Sequence, residues 1–360
     1  MIYCPEIFHG LYIKPKNNDH IQVSPCCQSK TMVENNDEFS FESSNHLNNI
    51  RVDNLNNIKS DACRRCWEAE TNGLQSKRES SNNFYNNEID TSTKIHTLEY
   101  NTTWACNLAC IMCNPSDSST WANELGINKD IKEEVIGGKS NTILDTLDLS
   151  SIRRVHFNGG EPLINSTHLD VLKKIPTLER CKISYNTNGT KLPNDEVIEY
   201  WSKCDIVRIF FSIDAIGDAF DYIRWNAKWD DVKEKLQWFV DNMPSNVMFG
   251  INTTVGVYNL LEIGDIYKWY KDNFYTNNEG DMTDFNWQVA YNFNFDYASN
   301  EVKMVALNEL KSNSILPSLQ TAIQNSLNEA QDDKWIGELE IIDKRRGINW
   351  KESLRIGDYY

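Results

Sequence analysis

The sequence lacks long hydrophobic runs and a basic, apolar leader. Its first residues, MIYCPEIFHG, contain neither the positive nor the apolar region of a secretory signal, so we expect a cytoplasmic protein. No apolar run approaches the roughly 20 residues that cross a bilayer, and no membrane partner is expected. Positive charge is also scarce, because 36 Lys and Arg stand against 52 Asp and Glu and give a formal net charge of −16. Such a chain repels phosphate backbones, so nucleic acid is not expected as a partner.

The length and the cysteine count are the positive features of the composition. At 360 residues the chain can bury a large core, which predicts one large domain with one or two small ones. It contains 10 cysteines. Because cysteines seldom form disulfides in a reducing compartment, this number indicates metal ligation.

Short β-branched and aromatic segments alternate with amphipathic helical segments from Lys94 onward. The predicted strands are 95–101, 154–158, 182–186, 206–214, 247–255 and 286–295. The predicted helices between them include 169–174, 195–202, 229–242 and 260–273. Strands joined by helical crossovers form a parallel sheet, and six such units are too few for a complete TIM barrel. The sequence therefore predicts an α/β fold with a partial (β/α)6 TIM-like barrel.

The pattern divides the chain into three parts. Residues 1–90 are predicted to form a small cysteine-rich module, with strands over 7–13 and 20–23 and a linker over 75–88. Residues 94–300 form the partial barrel. Residues 301–360 form a C-terminal helical extension, in which 301–327 is predicted as helix.

Three cysteines in the run WACNLACIMC, Cys106, Cys110 and Cys113, follow the first barrel strand. The C-x3-C-x2-C spacing offers three thiolates to one centre and no fourth. Structural zinc takes four protein ligands, whereas a [4Fe–4S] cluster held by three cysteines keeps one iron open for another ligand. The spacing favours the cluster, and a structural metal loop is the alternative.

Three further motifs also follow predicted strands: GGEP at 159–162, TNGT at 187–190 and SIDA at 212–215. In a parallel β/α sheet, the loops at the carboxyl ends of the strands meet at one face, where active sites form. We expect the cysteine loop and these motifs at that face. Cys181 and Cys204 precede strands instead, so we expect them to be buried, inert thiols.

The cysteine loop, FNGGEPL at 157–163 and FFSIDA at 210–215 together resemble the radical SAM (S-adenosylmethionine) superfamily over roughly residues 94–295. In that family the open iron of a [4Fe–4S] cluster binds the amino and carboxylate groups of SAM. One electron then cleaves SAM to methionine and a 5′-deoxyadenosyl radical, which takes a hydrogen atom from the substrate. The resemblance therefore implies SAM and a [4Fe–4S] cluster on Cys106, Cys110 and Cys113 as cofactors.

Several residues match family positions that contact SAM or substrate. The resemblance implies that Glu161 accepts a charge-assisted hydrogen bond from the amino group of SAM and that Gly159 and Gly160 let the backbone approach it. Met112 stands where the family usually has an aromatic residue near the adenine, and its thioether can pack there. The remaining expected contacts are Pro162, Asn188, Ser212, Asp214, Arg224 and Asn252. Turn capping and surface pairing are the alternative roles.

The N-terminal module contains five more cysteines: Cys4, Cys26, Cys27, Cys63 and Cys66. They resemble the twitch or half-SPASM-like modules that hold an auxiliary [4Fe–4S] cluster in peptide-modifying radical SAM enzymes. Their place before the barrel resembles N-terminal-twitch radical SAM proteins. Adjacent cysteines seldom both bind one cubane, so Cys4, Cys63, Cys66 and one of Cys26 and Cys27, here assigned as Cys26, form the expected ligand set. A four-cysteine zinc site is the alternative.

The spare thiol, Cys27, is then a candidate catalytic residue that donates a hydrogen atom to a substrate radical, and a small inert thiol is the alternative.

The resemblance implies a radical SAM enzyme acting on a peptide, protein or amino-acid-type substrate. The alternatives are radical modification of a small molecule, such as a nucleoside or sugar, and a non-catalytic iron–sulfur redox sensor. An electron donor such as flavodoxin or ferredoxin is the implied protein partner.

Overall fold

The computed structural model describes residues 2–16, 19–71, 73, 75–127, 142–274, 285–327, 329 and 331–360. Its strands are β1 (Gly10–Pro15), β2 (His20–Ser24), β3 (Met32–Asn35), β4 (Thr97–Asn101), β5 (Arg154–Asn158), β6 (Lys182–Thr187), β7 (Ile206–Ser212), β8 (Val247–Val255) and β9 (Phe285–Val289). Its helices are α1 (Pro5–His9), α2 (Asn45–Leu55), α3 (Arg64–Thr71), α4 (Lys77–Phe84), α5 (Ser119–Glu124), α6 (Thr142–Thr146), α7 (Thr167–Lys174), α8 (Asp195–Ser202), α9 (Gly217–Ile223), α10 (Trp229–Asn242), α11 (Ile263–Phe274), α12 (Asn300–Ser312), α13 (Pro317–Ser326), α14 (Lys334–Arg346) and α15 (Trp350–Ser353).

The described strands form one sheet in the order β3-β2-β1-β4-β5-β6-β7-β8-β9. Parallel pairing joins β1 to β4, β4 to β5, β5 to β6 and β8 to β9, whereas β2 pairs with β1 and β3 in the antiparallel sense. The predicted α/β class, with parallel strands alternating with helices, is confirmed. In register, Glu99 lies opposite His156, which lies opposite Ser184. A row of polar residues therefore crosses one face of the sheet.

Alternation along the strands explains which face carries the core. In β5, Val155 and Phe157 are fully buried, and in β6 Ile183 and Tyr185 are buried in the same way. The intervening residues are polar and less buried. Since successive side chains of a strand point to opposite faces, one face of this part of the sheet packs in the core and the other is polar.

The N-terminal part departs from the prediction in two places. The expected strand over 7–13 begins instead as helix α1, because Pro5 occupies its first turn, and the strand starts only at Gly10. The expected linker over 75–88 contains helix α4. Its first turn carries a capping box in which the Ser76 hydroxyl accepts from the Glu79 N–H and the Glu79 carboxylate accepts from the Ser76 N–H. The Ser-x-x-Glu signature was present in the sequence.

The C-terminal expectation of one helix over 301–327 is also corrected. The segment forms α12 and α13, separated at Leu316, whose φ of 50° is left-handed. Pro317 follows at the first position of α13. A proline has no backbone N–H and restricts the residue before it, so the first helix ends and a second begins.

The chain divides into two compact units. Unit 1 comprises Met1–Cys106, Gly126–Tyr185 and Pro193–Arg208. Its core includes Phe157, Tyr185 and Trp201. The ring centroids of Phe157 and Tyr185 lie 4.8 Å apart, and those of Tyr185 and Trp201 lie 5.3 Å apart. Packed aromatic rings of this size provide a large share of the buried apolar surface.

Unit 2 comprises Asn107–Leu125, Asn186–Leu192 and Ile209–Tyr360. Phe211 packs against Phe239 at 5.2 Å, and Trp335 packs against Trp350 at 5.3 Å in the C-terminal helices. Within the described parts of the chain, no helix combines the length and the apolar character needed to cross a membrane.

Candidate active site

The GGEP segment packs against the chain that leads into the cysteine loop, within unit 1. The Gly160 N–H donates to the Thr103 carbonyl at 2.7 Å, and the Glu161 N–H donates to the Ala105 carbonyl at 2.9 Å. A Cβ atom on Gly160 would overlap the Ala105 carbonyl, and Gly159 has a φ of 133°. Both glycines are therefore required by the backbone, and Cys106 follows directly from the segment that they hold.

Glu161 is fully buried and serves as the N-cap of a short 3-10 turn that begins at Pro162. Its Oε1 accepts from the Leu163 N–H at 3.1 Å. This bond caps the turn. The expected contact with the amino group of SAM is compatible with the cap and stays a prediction.

Cys110 lies in unit 2 and is buried, whereas Cys113 and Met112 are half-buried. Two backbone hydrogen bonds flank Cys110, from the Ala109 N–H to the Trp225 carbonyl at 3.1 Å and from the Ile111 N–H to the Ile223 carbonyl at 3.0 Å. The Cys110 carbonyl accepts from the Trp121 indole at 2.6 Å. These bonds fix the backbone of the middle cysteine.

Arg346, at the end of α14, also holds this loop from within unit 2. Its guanidinium donates to the Ala109 carbonyl at 2.8 Å and to Glu124 at 3.0 Å. The same group lies over the rings of Trp121 and Trp225, at 4.6 and 5.0 Å from their centroids. The C-terminal extension thus supports the cysteine loop, a contact that no motif in the sequence indicated.

Asp214 and Arg224 form a buried ion pair beside Cys110. Arg224 Nη2 lies 2.6 Å from Asp214 Oδ2, and Arg224 Nη1 donates to Cys110 Sγ at 3.9 Å. Burial raises the pKa of Asp214, although Arg224 and the Thr254 N–H, which donates to Asp214 Oδ1 at 2.7 Å, oppose that change. Burial likewise raises the pKa of the Cys110 thiol, and the charge of Arg224 opposes it.

Two of the remaining predicted SAM contacts, Asn188 and Asn252, form side-chain hydrogen bonds with other asparagines of unit 2. Asn188 is buried, donates to Asn107 Oδ1 at 3.1 Å and accepts from the Thr190 N–H at 2.9 Å. Asn252 donates to Asn186 Oδ1 at 2.5 Å. Ser212, at the end of β7, is half-buried. Sequence reasoning missed Asn107, although it lies directly after Cys106 and so carried a positional signal.

Four of the N-terminal cysteines line one cavity in unit 1. They are Cys4, Cys26, Cys63 and Cys66, and Glu6, Lys77 and Arg78 are among the other residues that line it. The cavity measures about 20 Å³. That is room for about one water molecule. Cys27 is exposed and is not among the lining residues.

Burial disfavours ionisation of three of the thiols on this cavity. Burial raises the pKa of Cys63 to about 11, and burial also raises the pKa values of Cys4 and Cys26. No three Cys, His, Asp or Glu side chains in the described residues are arranged to hold a single metal ion. A metal bound by the thiols of Cys4, Cys26 and Cys63 would displace their protons as it binds.

Glu99 on β4 links Cys27 to the sheet, a contact that the sequence did not reveal. The Cys27 N–H donates to Glu99 Oε2 at 2.7 Å, and Lys77 forms an ion pair with Glu99 Oε1. Burial opposes the ionisation of Glu99, but the charge of Lys77 overcomes it and lowers the pKa of Glu99 to about 2. The carboxylate is therefore ionised and fixes the backbone beside the adjacent cysteines.

Cys181 and Cys204 are buried, as the sequence predicted. Their exposed fractions are 0% and 6%. Cys204 Sγ donates to the Tyr200 carbonyl at 3.3 Å. Both thiols behave as small core side chains.

Residues 100–269 match the Radical SAM superfamily. This segment of the chain is similar to radical SAM proteins. The match includes the three cysteines of the loop, the GGEP segment, Asp214 and Arg224.

Known proteins with related sequences match part of this chain. A GTP 3′,8-cyclase of Desulforamulus reducens is 27% identical over 146 residues, covering 40% of this chain and 42% of that protein. A mycofactocin maturase MftC of Mycobacterium tuberculosis is 26% identical over 141 residues, covering 39% of this chain and 33% of that protein. The chain thus spans less than half of each of these two relatives.

A solved structure of native anSMEcpe with bound AdoMet is similar to this chain with a TM-score of 0.39 and 16% sequence identity. The similarity covers 61% of this chain and 59% of that one.

The radical SAM family implies a [4Fe–4S] cluster and SAM, and the surroundings of Cys110 in unit 2 fit such an anionic group. Cys110 presents a buried sulfur next to a guanidinium whose Nε is buried and donates to no acceptor in the described residues. An unsatisfied buried donor beside a thiol suits a sulfur-rich, anionic group.

Proposed function

We propose that this chain is a radical SAM enzyme in which Cys106, Cys110 and Cys113 bind a [4Fe–4S] cluster. The observation that carries the proposal is the radical SAM match over residues 100–269, which contains the whole C-x3-C-x2-C motif. A cluster held by these cysteines would provide for the one-electron reduction that cleaves SAM to methionine and a 5′-deoxyadenosyl radical, which would abstract hydrogen from the substrate. The reductant is a flavodoxin or ferredoxin, and the protein acts in the cytoplasm.

The chain's own residues bind and orient SAM in this proposal. Glu161 accepts from the amino group of SAM, and its existing cap on Leu163 holds the carboxylate in place. Gly159 and Gly160 let the backbone lie close to SAM, because neither residue carries a Cβ. Met112 packs near the adenine, and the other SAM contacts are Pro162, Asn188, Ser212, Asp214, Arg224 and Asn252.

We further propose that Cys4, Cys26, Cys63 and Cys66 hold an auxiliary [4Fe–4S] cluster in an N-terminal twitch-like module, residues 1–90. The convergence of these four thiols on one cavity supports this assignment. Lys77 on the same cavity offers a positive charge to a group that carries net negative charge. A zinc site has the same ligand demand, and metal analysis separates the two.

For the substrate we propose a peptide, a protein or an amino-acid-type molecule. The support is the resemblance of the N-terminal cysteine arrangement to the modules of peptide-modifying radical SAM enzymes. The second candidate is a small molecule such as a nucleoside or sugar, and the similarity to a GTP 3′,8-cyclase favours it. The cofactor chemistry is the same in both cases, so the substrate decides between them.

The experiment is an anaerobic assay of the iron-reconstituted protein with SAM and dithionite. We expect 5′-deoxyadenosine to form, and a redox sensor would form none. Deuterium is then followed from a labelled peptide library or from labelled GTP into 5′-deoxyadenosine. Transfer from the peptides supports the first substrate class, and transfer from GTP alone replaces it with the second.

A further inference from the structure

Arg224 is fixed beside Cys110 by backbone contacts on both sides. Ile223 and Trp225, its neighbours in the chain, accept the two backbone hydrogen bonds from Ile111 and Ala109, the neighbours of Cys110. The two residues therefore face each other in a short paired segment of unit 2. Arg224 Nη1 lies 3.9 Å from Cys110 Sγ as a direct result.

The charge of Arg224 is shared between a carboxylate and a sulfur. Asp214 lies 2.6 Å from Nη2, and the side chains of the pair are 0% and 9% exposed. Asp214 is itself fixed, since its Oδ1 accepts from the Thr254 N–H and its backbone carbonyl accepts from Asn259 Nδ2 at 2.8 Å. In so buried a setting, a charge at this distance is weakly screened.

We propose that Arg224 is a positioning residue that donates to Cys110 Sγ and raises the reduction potential of the loop cluster, and that Asp214 limits this effect. The proposal rests on the proposed cluster at Cys106, Cys110 and Cys113. Reduction adds an electron to the cluster, so a cation and a hydrogen bond at a ligand sulfur favour the reduced state. The carboxylate of Asp214 opposes reduction because it is negative and because it draws the charge of Arg224 toward itself.

This role differs from the SAM contact that the family resemblance implies for the two residues. A residue that only binds SAM changes SAM affinity and leaves the potential of the SAM-free cluster unaltered. If the pair only supports the fold, replacing either Arg224 or Asp214 should shift the reduction potential of the cluster in the same direction. The proposed role requires opposite shifts from Arg224 and Asp214.

The test is an EPR-monitored redox titration of the full-length protein without SAM, for the wild type, Arg224→Met, Arg224→Lys and Asp214→Asn. The loop signal is the one that is absent when Cys106, Cys110 and Cys113 are all changed to alanine. Arg224→Met should lower the ratio of reduced to oxidised cluster at a fixed potential about tenfold, which is 59 mV for one electron. Asp214→Asn should raise that ratio, and Arg224→Lys should lie between Arg224→Met and the wild type.

Arg355→Met is the control, because Arg355 also forms ion pairs in unit 2, with Asp265 and Glu309, and has no cysteine contact among the described residues. It should leave the ratio unchanged. Removing one partner of a buried ion pair can prevent folding. The double variant Asp214→Asn with Arg224→Met, which removes both charges, is therefore included. Its ratio of reduced to oxidised cluster should be lower than that of Asp214→Asn alone. Ratios within twofold of the wild type, or shifts of one sign in both single variants, would overturn the inference. Absence of any loop signal in the wild type would instead overturn the proposed function.

Discussion

Cys26 and Cys27 are adjacent in the sequence but have different surroundings. Cys26 lines the cavity that it shares with Cys4, Cys63 and Cys66, whereas Cys27 lies outside the set of lining residues. The Cys27 N–H donates to Glu99 Oε2 at 2.7 Å, and this bond orients the pair. The structure thus gives the two thiols separate environments, which the sequence alone left open.

Separate variants of these two cysteines test the assignment of the N-terminal metal ligands. Cys26→Ala should remove the metal of the N-terminal site, because three thiols remain where four are needed. Cys27→Ala is the matched control and should keep the metal content of the wild type. Iron, sulfide and zinc analysis of the purified proteins is the measurement. Loss of metal in Cys27→Ala with retention in Cys26→Ala would reverse the assignment.

Glu161→Gln should weaken SAM binding while the loop cluster is retained. The amide oxygen of glutamine can still cap Leu163, but it forms a weaker bond to an ammonium group than a carboxylate does. Charge-assisted bonds contribute roughly 1.5–3 kcal/mol, so SAM affinity should fall about tenfold or more. Equilibrium binding of SAM to the reconstituted protein gives the value. An unchanged affinity would mean that another residue contacts the amino group.

Gly160→Ala should disrupt the segment that leads into Cys106. The new methyl group would overlap the backbone carbonyl of Ala105, and overpacking of this kind costs about 1–3 kcal/mol. We expect a lower unfolding midpoint and a lower iron content per chain. Gly337→Ala in α14 is the control, since no heavy atom lies within 4 Å of its Cβ position. That variant should be neutral or stabilised by about 0.5–1 kcal/mol. Equal behaviour of the two variants would show that the close approach at Gly160 is unimportant.

Acidification should destabilise the protein because burial lowers the pKa of His168. His168 contacts the Tyr185 hydroxyl at 2.9 Å, and burial lowers its pKa to about 4. In the unfolded chain the His168 imidazole takes up a proton near pH 6.5, whereas in the folded chain it does so only near pH 4. Between these two pH values the unfolded chain therefore binds more protons than the folded chain. Stability therefore falls as the pH falls, by up to about 1.4 kcal/mol per pH unit for one group.

His168→Gln should reduce that dependence, because glutamine does not titrate. Thermal unfolding midpoints from pH 7.5 to 4.5 provide the comparison, and the values above pH 7 serve as the baseline for any change in packing. The midpoint of the variant should fall less on acidification than that of the wild type. Parallel curves for the two proteins would show that His168 contributes nothing to the acid sensitivity.

The barrel strands could be read from the sequence because their pattern is local. The predicted bounds 154–158 and 247–255 agree with β5 and β8, and 195–202 and 229–242 agree with α8 and α10. Apolar alternation and helical periodicity determine such elements without help from distant residues. The linker assigned to 75–88 was wrong because the Asn- and Ser-rich composition concealed the capping box of α4.

The motif residues could also be named from the sequence, but their partners could not. Arg224 was expected only as a SAM or substrate contact, and its neighbour Cys110 lies 114 positions earlier in the chain. Arg346 lies 237 positions after Ala109, to which it donates. Contacts of this range depend on the folded arrangement within unit 2, and no short sequence pattern records them. The convergence of four N-terminal cysteines on one cavity is information of the same kind.

The most direct measurement of the central claim is anaerobic SAM cleavage by the wild type and by the variant with alanine at Cys106, Cys110 and Cys113. Both proteins are reconstituted with iron and sulfide, reduced with dithionite and assayed for 5′-deoxyadenosine. The wild type should form it and bind about eight iron atoms, and the variant should form none while it keeps about four in the N-terminal site. Formation of 5′-deoxyadenosine by the triple variant at the rate of the wild type would contradict the assignment of the loop as the catalytic cluster site.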